Sequence, residues 1–302
     1  MSKAKKTFPP VDDPLIIFTG PSPRGWHRLQ QAAECLQRYA WSYENGPKKD
    51  ISKKPPLAIG TLWHLALAQH YSRMKMQQEG HNPNEYMDPE EAVRFVAHVT
   101  GVERHVGAVF PSFGEYKRRN FGDIRNMRIV EVETLFDGTI DPSPVMKRLG
   151  ATSYRLTGRI DLMYEDLSGR LWCSDHKTTA RLTSRHKLFY GISGQLLGYQ
   201  HLVRQKHPEL AGMKVNLIQH TNFKNERITL PRSPLLERQF QDRAIDIEMQ
   251  IEQIKAPGRP VDSWPKAMTE LACYHRYGAC DHLDRCRFGV DAKAAGNWKW
   301  EG

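Results

Sequence analysis

The sequence predicts an α/β domain with a central mixed β-sheet flanked by helices, a helical N-terminal half and a cysteine-rich C-terminal appendage. Three observations predict it. Helical periodicity dominates up to about residue 109, β-rich runs take over at residue 127, and three of the five cysteines follow Trp264. A chain of 302 residues can bury a sizeable core, and 39% hydrophobic with 26% charged residues is the balance of a soluble globular protein.

Residues 1–14 are polar and are expected to be a flexible N-terminus ahead of a single domain over 15–302. Within that domain we expect a helical part at 22–110, a core at 127–256 and a metal-binding tail at 264–290. From Pro23, Leu29, Ala32, Ala33, Leu36 and Tyr39 recur at steps of three and four and predict a helix with Cys35 near its end. A basic, Pro-bearing loop follows at 46–56. "LAIGTLWHLALAQHYSRM" then reads as a helix buried over most of its circumference, which makes His64 a conspicuous polar insertion. Periodicity resumes from Pro89 to about Val109.

Strands are predicted at 127–136, 153–165 and 170–178, the last two joined by the turn signal "DLSG" as a hairpin. A helix over 186–206 follows, with Leu188, Ile192, Gln195, Leu196, Tyr199 and Leu202 along one side. Two more strands, 214–221 and 226–230, precede a helix at 234–255 that carries Phe240, Ala244, Ile247, Ile251 and Ile254 at alternating steps of three and four.

The charge balance is 44 Lys plus Arg against 34 Asp plus Glu, a net +10, which points to a polyanionic partner and favours nucleic acid over an anionic membrane. No stretch approaches the roughly 18 apolar residues of a membrane span. The N-terminal "MSKAKKTFPP" has basic residues without a following apolar run, so a cytoplasmic location with no membrane partner is expected. In such a compartment five cysteines are better read as thiols or metal ligands than as disulfides.

The stretch "GRLWCSDHKTT", 169–179, carries the chemistry. Side chains at i and i+2 of a strand share a face, so Asp175 and Lys177 project together while His176 faces away. The hairpin brings Asp161 close to Asp175, and two carboxylates at adjacent strand ends repel unless a cation lies between them. Mg²⁺, a hard ion that prefers carboxylate oxygens and keeps open water positions, suits that place. Lys177 then stands where it can orient a water or offset charge on a phosphate oxygen, and metal-activated water attacking a phosphodiester is the chemistry such a set serves. Taken alone, D-x-K is as compatible with a surface charge cluster.

The ordered set is more specific. Gly158-Arg159-Ile160-Asp161, a hairpin, Asp175-His176-Lys177-Thr178, and then Gln195 and Tyr199 one helical turn apart resemble the PD-(D/E)XK nuclease superfamily, in particular its RecB-like branch. Gly60 and His64 match that branch's helical G-x-x-x-H element, and Glu133 lies in "VEVETLF". The resemblance covers about 22–288. It implies a restriction-endonuclease-like core and an Mg²⁺- or Mn²⁺-dependent deoxyribonuclease, with Asp161 and Asp175 as metal ligands, a backbone carbonyl from His176, Lys177 as the catalytic lysine and His64 as a further ligand. Glu133 would add a carboxylate, with Glu131 on the same strand face as its rival. Gln195 and Tyr199 would orient the metal site or contact DNA.

In the tail, "CYHRYGACDHLDRC" spaces Cys273, Cys280 and Cys286 as C-x6-C-x5-C, and three such thiols call for a fourth ligand. The resemblance supplies Cys35, because iron–sulfur nucleases of the RecB-like branch take one cysteine from an upstream helix and three from the C-terminus. A [4Fe-4S] cluster is the implied group. The better known spacing is C-x2-C-x5-C, and the longer first gap leaves structural Zn²⁺ as the alternative, with His275 or His282 in place of Cys35. Cys173 reads as a small buried strand residue. The expected function is an exonuclease of recombination, repair or phage-type DNA processing, acting on DNA that is single-stranded or has free ends. A nuclease-fold DNA-binding module without activity and a restriction-type endonuclease are the alternatives. No Walker A loop occurs in the sequence, so unwinding is expected from a helicase or recombinase partner.

Overall fold

The computed structural model describes residues 22, 24–44, 55–85, 87–230, 233–256, 258–275 and 278–289. The expected flexible stretch 1–14 and residues 46–54 of the basic loop lie outside them.

The predicted first helix is two helices, α1 (Trp26–Glu34) and α2 (Leu36–Tyr39), continued by a π-helical turn at Ala40–Glu44. They part at Cys35, whose backbone is extended (φ −164°, ψ 113°) although its amide still donates to Gln31 O and its carbonyl accepts from the Tyr39 amide, both at 3.0 Å. Helix α3 (Pro55–Gln78) is apolar nearly all round, as read from the sequence, because it lies between the sheet and two further helices. The first of these, α4 (Pro89–Thr100), is capped by the Asp88 carboxylate, which accepts from the Glu90 amide at 2.8 Å, and is stopped by Gly101 in the left-handed region. The second, α5 (Val106–Arg119), extends ten residues past the expected helical limit at Val109, and a short α6 (Asp123–Asn126) leads into the sheet.

Five strands form one sheet in sequence order: β1 (Met127–Ile140), β2 (Tyr154–Asp166), β3 (Leu171–Thr179), β4 (Gly212–Gln219) and β5 (Lys224–Thr229), with α7 (Pro144–Arg148) between the first two. All pairs are antiparallel except β3–β4, so the sheet is mixed. A parallel neighbour requires a crossover, and α8 (Ser184–Gly191) with α9 (Gly194–Lys206) supplies it. The single helix expected over 186–206 breaks at Ile192 and Ser193, where Ser193 turns extended (φ −69°, ψ 117°) and the chain restarts at Gly194 packed against Trp26, whose indole a Cβ there would meet at 2.1 Å. Leu188 and Ile192 therefore leave the buried side that Leu196 and Leu202 keep, and are 78% and 68% exposed.

Helix α10 (Pro234–Lys255) completes the layer on that side. One core packs the sheet against α1, α9 and α10 through Leu156, Met163, Cys173, Val215 and Phe240. The other packs it against α3, α4 and α5 through Leu162, Tyr164, Trp172 and Ile218. The tail adds α11 (Glu270–Cys273), a two-stranded hairpin of β6 (Tyr274–His275) and β7 (Gly278–Ala279), and α12 (Leu283–Phe288). It is fastened to the N-terminal helices. The Gln37 amide donates to Pro265 O at 2.9 Å, and Trp41 Nε1 and Arg285 Nη2 both donate to Asp262 Oδ1, at 2.7 and 2.6 Å.

Candidate active site

Strand β3 alternates as the sequence requires. Cys173, Asp175 and Lys177 face α9, whereas Trp172 and His176 face α3 and α5. The pairing of β2 with β3 runs from Glu165↔Leu171 to Leu162↔Ser174 and stops there. One step further, Asp161 and Asp175 would be opposite each other. The strands splay instead, and the Asp161 carboxylate enters the gap, where Oδ2 accepts from the His176 amide at 2.6 Å.

Helix α3 brings His64 to the same carboxylate, with Nδ1 3.4 Å from Asp161 Oδ2 and 4.0 Å from Glu133 Oε1. Glu133 reaches it through an irregular β1. The strand is bulged between Ile129 and Glu131, and Glu133 itself has φ 51°, a left-handed conformation that costs a non-glycine residue of order 1–3 kcal/mol and is typical of functional positions. That twist separates Glu133 from Glu131 despite their spacing of two. Glu131 acts electrostatically on Cys173, on the α9 side, and Glu133 on His64. Among the described residues, His64, Glu133 and Asp161 are the group of three potential ligands whose donor atoms converge within 4.8 Å.

Asp175 is 1% exposed and is paired with Lys177, whose Nζ is 2.8 Å from Oδ2 and 3.1 Å from Oδ1. The charges shift as burial and neighbours dictate. Burial raises the pKa of Asp161 and Asp175, and Glu133 on one and Asp161 on the other add repulsion, while Lys177 and His64 oppose the shift. Burial would depress His64, but the Asp161 and Glu133 carboxylates push it up to about 9. Likewise burial works against the Lys177 ammonium, and Asp175 foremost holds it charged above the usual amine range.

On the α9 side Gln195 Nε2 donates to Tyr199 Oη at 2.8 Å. The Tyr199 ring covers Gly158 of β2, where a Cβ would come within 2.8 Å of two ring carbons. Glycine in "GRID" thus lets the ring reach the acidic group, and burial, then Asp175, raises the phenol above its ordinary range.

The His176 side chain points away from this group. Its ring stacks on Tyr71 at 5.7 Å and 6°, and its Nδ1 meets Asn216 Nδ2 at 2.9 Å. The same amide donates to Tyr116 Oη at 2.8 Å, Tyr116 and Tyr71 hydroxyls are 2.7 Å apart, and Asp123 with Arg227 closes the network. Burial, with His64 and Arg227 behind it, keeps the imidazole neutral. Sequence reasoning did not find Tyr71, Tyr116 or Asn216. They come from α3, α5 and β4, and no spacing in the chain links them.

The structure also places Cys35, Cys273 and Cys280 within electrostatic reach of Cys286. All five cysteines are free thiols. Burial raises Cys286, and Cys35, Cys280 and Cys273 all act on it electrostatically. Cys173 lies in the core beneath the sheet. The six-residue gap between Cys273 and Cys280 is the β6–β7 hairpin, which returns the chain so that the Cys280 amide donates to Cys273 O at 2.7 Å. His282 Nε2 is 3.1 Å from Ser42 Oγ, and its ring is 5.4 Å from Trp41, so it helps to dock the tail.

A mixed sheet with an Asp, a following Asp-x-Lys strand, an upstream helical His and a glutamine–tyrosine helix defines a restriction-endonuclease-like domain. The model of the PD-(D/E)XK nuclease superfamily matches residues 26–287, and the chain belongs to that superfamily. The family suggests metal-dependent nuclease activity. No curated protein matches the chain. Among solved structures, the crystal structure of SSO0001 aligns over 88% of this chain and 96% of that chain, with 14% identity and a TM-score of 0.33. No helix among the described residues is long and apolar enough to cross a membrane.

Proposed function

We propose that the protein is an Mg²⁺- or Mn²⁺-dependent deoxyribonuclease, acting as one domain and working as an exonuclease on DNA with single-stranded or free ends. The observation that carries this reading is the convergence of His64, Glu133 and Asp161 beside the buried Asp175–Lys177 pair. Two buried carboxylates with raised pKa values, a third nearby and an imidazole nitrogen fit a hard divalent cation. Asp161, Asp175, Glu133 and His64 would hold it, with the His176 carbonyl as a further donor. When bound, such an ion supplies a Lewis acid and an activated water. Lys177 keeps a positive charge beside Asp175 and can orient that water or offset charge on a phosphate oxygen. Tyr199, fixed by Gln195 and seated on Gly158, flanks the acidic group on its α9 side.

The cysteines support a structural [4Fe-4S] cluster on Cys35, Cys273, Cys280 and Cys286. Free thiols at Cys35, Cys273 and Cys280 that all act electrostatically on Cys286 suit soft thiolate ligation of iron. The hairpin accommodates the long first gap, and the docking role of His282 favours Cys35 over it as the fourth ligand. Recombination, repair or phage-type DNA processing, with a helicase or recombinase as partner, is the context that this activity fits.

The test is direct. Purified protein is incubated with end-labelled single- and double-stranded DNA, with and without Mg²⁺ or Mn²⁺. Cation-dependent release of short products is expected, and its loss in Asp175→Ala and Lys177→Ala. Near wild-type cleavage by both variants would overturn the site.

A further inference from the structure

The break between α8 and α9 leaves a helix face that the core does not use. Arg185, Leu188, Phe189 and Ile192 stand at i, i+3, i+4 and i+7 and thus share one side of α8 and its C-cap. All four are exposed, with Leu188 78%, Phe189 52% and Ile192 68% accessible. The opposite side anchors the helix: His186 is buried, with Nδ1 3.0 Å from Thr183 Oγ1, and Tyr190 packs against the core. An anchored helix with an outward apolar stripe needs another reason for that stripe.

Its position supplies one. Helix α8 connects the strand that ends with Lys177 and Thr179 to the helix that begins with Gly194 and Gln195, so it borders the acidic group on both sides of the sequence. The turn between β4 and β5 is tied to the same connection, since Thr221 Oγ1 and Gln219 Nε2 both donate to Ala180 O, at 2.6 and 2.9 Å. At its tip Phe223 is 40% exposed in a left-handed conformation (φ 60°), next to exposed Lys224. Exposed Arg181 lies between the two elements. The connection between the Lys177 strand and the Gln195 helix, with the turn tied to it, thus exposes cations together with aromatic and aliphatic faces, and we call it the rim of the site.

We propose that this rim seats an unpaired DNA strand, with Phe189 and Phe223 stacking bases, Leu188 and Ile192 flanking them, and Arg181, Arg185 and Lys224 following the phosphates. The proposal rests on the nuclease reading and names its substrate as DNA with a single-stranded end. A duplex keeps its base faces stacked within and offers a sugar–phosphate surface, to which the apolar stripe contributes little. A single strand offers both a π-face and a phosphate at each nucleotide, and the rim matches both. The net charge of +10 adds the long-range attraction.

The experiment measures fluorescence anisotropy of the full chain with a 20-nucleotide single strand and with a blunt duplex of the same sequence, with Ca²⁺ in place of Mg²⁺. Phe189→Ala is expected to weaken single-strand binding about tenfold or more, the scale of a lost base–aromatic stack, while duplex binding changes less than about twofold. Phe189→Trp should retain it. A 2-aminopurine in the strand should be quenched by the wild type and not by Phe189→Ala. Single-strand affinity unchanged in Phe189→Ala, as expected of a face that serves a protein partner, or equal loss on strand and duplex, would overturn the proposal. The nuclease reading fails separately, if the wild type cleaves no DNA with Mg²⁺ or Mn²⁺ whatever Phe189 does to binding.

Discussion

The Asp161 carboxylate accepts a hydrogen bond from the backbone amide of His176, the residue between Asp175 and Lys177, at 2.6 Å. This bond closes the gap where β2 and β3 stop pairing, and the same oxygen is 3.4 Å from His64 Nδ1. One buried carboxylate therefore both clamps β3 and offers a potential ligand atom, and substitution can separate the two roles.

Asp161→Asn keeps an oxygen that can accept the His176 amide but loses the charge. Its melting temperature should stay within a few degrees of wild type while Mn²⁺ binding, followed by calorimetry, is lost. Asp161→Ala loses both, leaves a buried amide without a partner and should cost a further 1–3 kcal/mol or so in denaturant unfolding. Wild-type Mn²⁺ affinity in Asp161→Asn would remove Asp161 from the ligand set.

Gly158 and Tyr199 give a packing prediction. A methyl group at residue 158 would meet the Tyr199 ring at 2.8 Å and Leu202 at 3.0 Å. Gly158→Ala should destabilise the fold by about 1–3 kcal/mol, the usual scale of overpacking, and lower activity by moving the ring. Combining it with Tyr199→Leu should cost less than the two single changes summed, because the clash and the ring are one interaction. Strict additivity would show that Tyr199 does not lie over Gly158.

Much of this arrangement was legible from periodicity. Strand alternation separated Asp175 and Lys177 from His176, and the "DLSG" turn set the register that carries Asp161 to the end of the pairing beside Asp175. Local signals were less informative where tertiary contacts decide. The stretch 186–206 has helical periodicity throughout, yet it breaks before Gly194, which packs against Trp26 from about 170 residues earlier in the chain. The separation of Glu133 from Glu131 depends on a left-handed residue inside a strand, which no residue type announced. The clamp on His176 draws on three distant elements, and the C-x6-C gap looked irregular because a two-strand hairpin of two residues each is too short to show a pattern.

The cysteine set predicts a colour and a topology. Protein purified without oxygen should be brown, with broad absorbance near roughly 400 nm from thiolate-ligated iron. Cys35→Ser, Cys280→Ser or Cys286→Ser should bleach it and loosen the contact of the tail with α2, read as faster proteolysis after Lys266. Cys173→Ser should keep the colour. Colourless protein with one zinc per chain would select the alternative metal, and metal-free protein would remove the centre.

His70 predicts how the fold responds to acid. It sits on α3, edge-on to Phe113 at 6.0 Å and to Tyr71 at 5.1 Å, with Nε2 buried and unpartnered among the described residues. Burial lowers its pKa from 6.5 to about 4. Lys117, Arg227 and Arg73 push the same way, and the Asp123 carboxylate opposes them. The unfolded chain therefore takes up this proton near pH 6.5 and the folded chain only near pH 4, so between these values the unfolded state binds more protons and stability falls as pH falls. At about 1.4 kcal/mol per pKa unit, the loss over that window is at most on the order of 3 kcal/mol. His176, neutral and buried on the same side of the sheet, adds to the same slope. His70→Phe preserves the edge contacts and removes the titrating group. Urea unfolding from pH 7 to pH 4 should show a shallower decline for His70→Phe than for wild type, with little difference at pH 7. Parallel declines for the two proteins would mean that His70 is already protonated in the fold or does not titrate in this window.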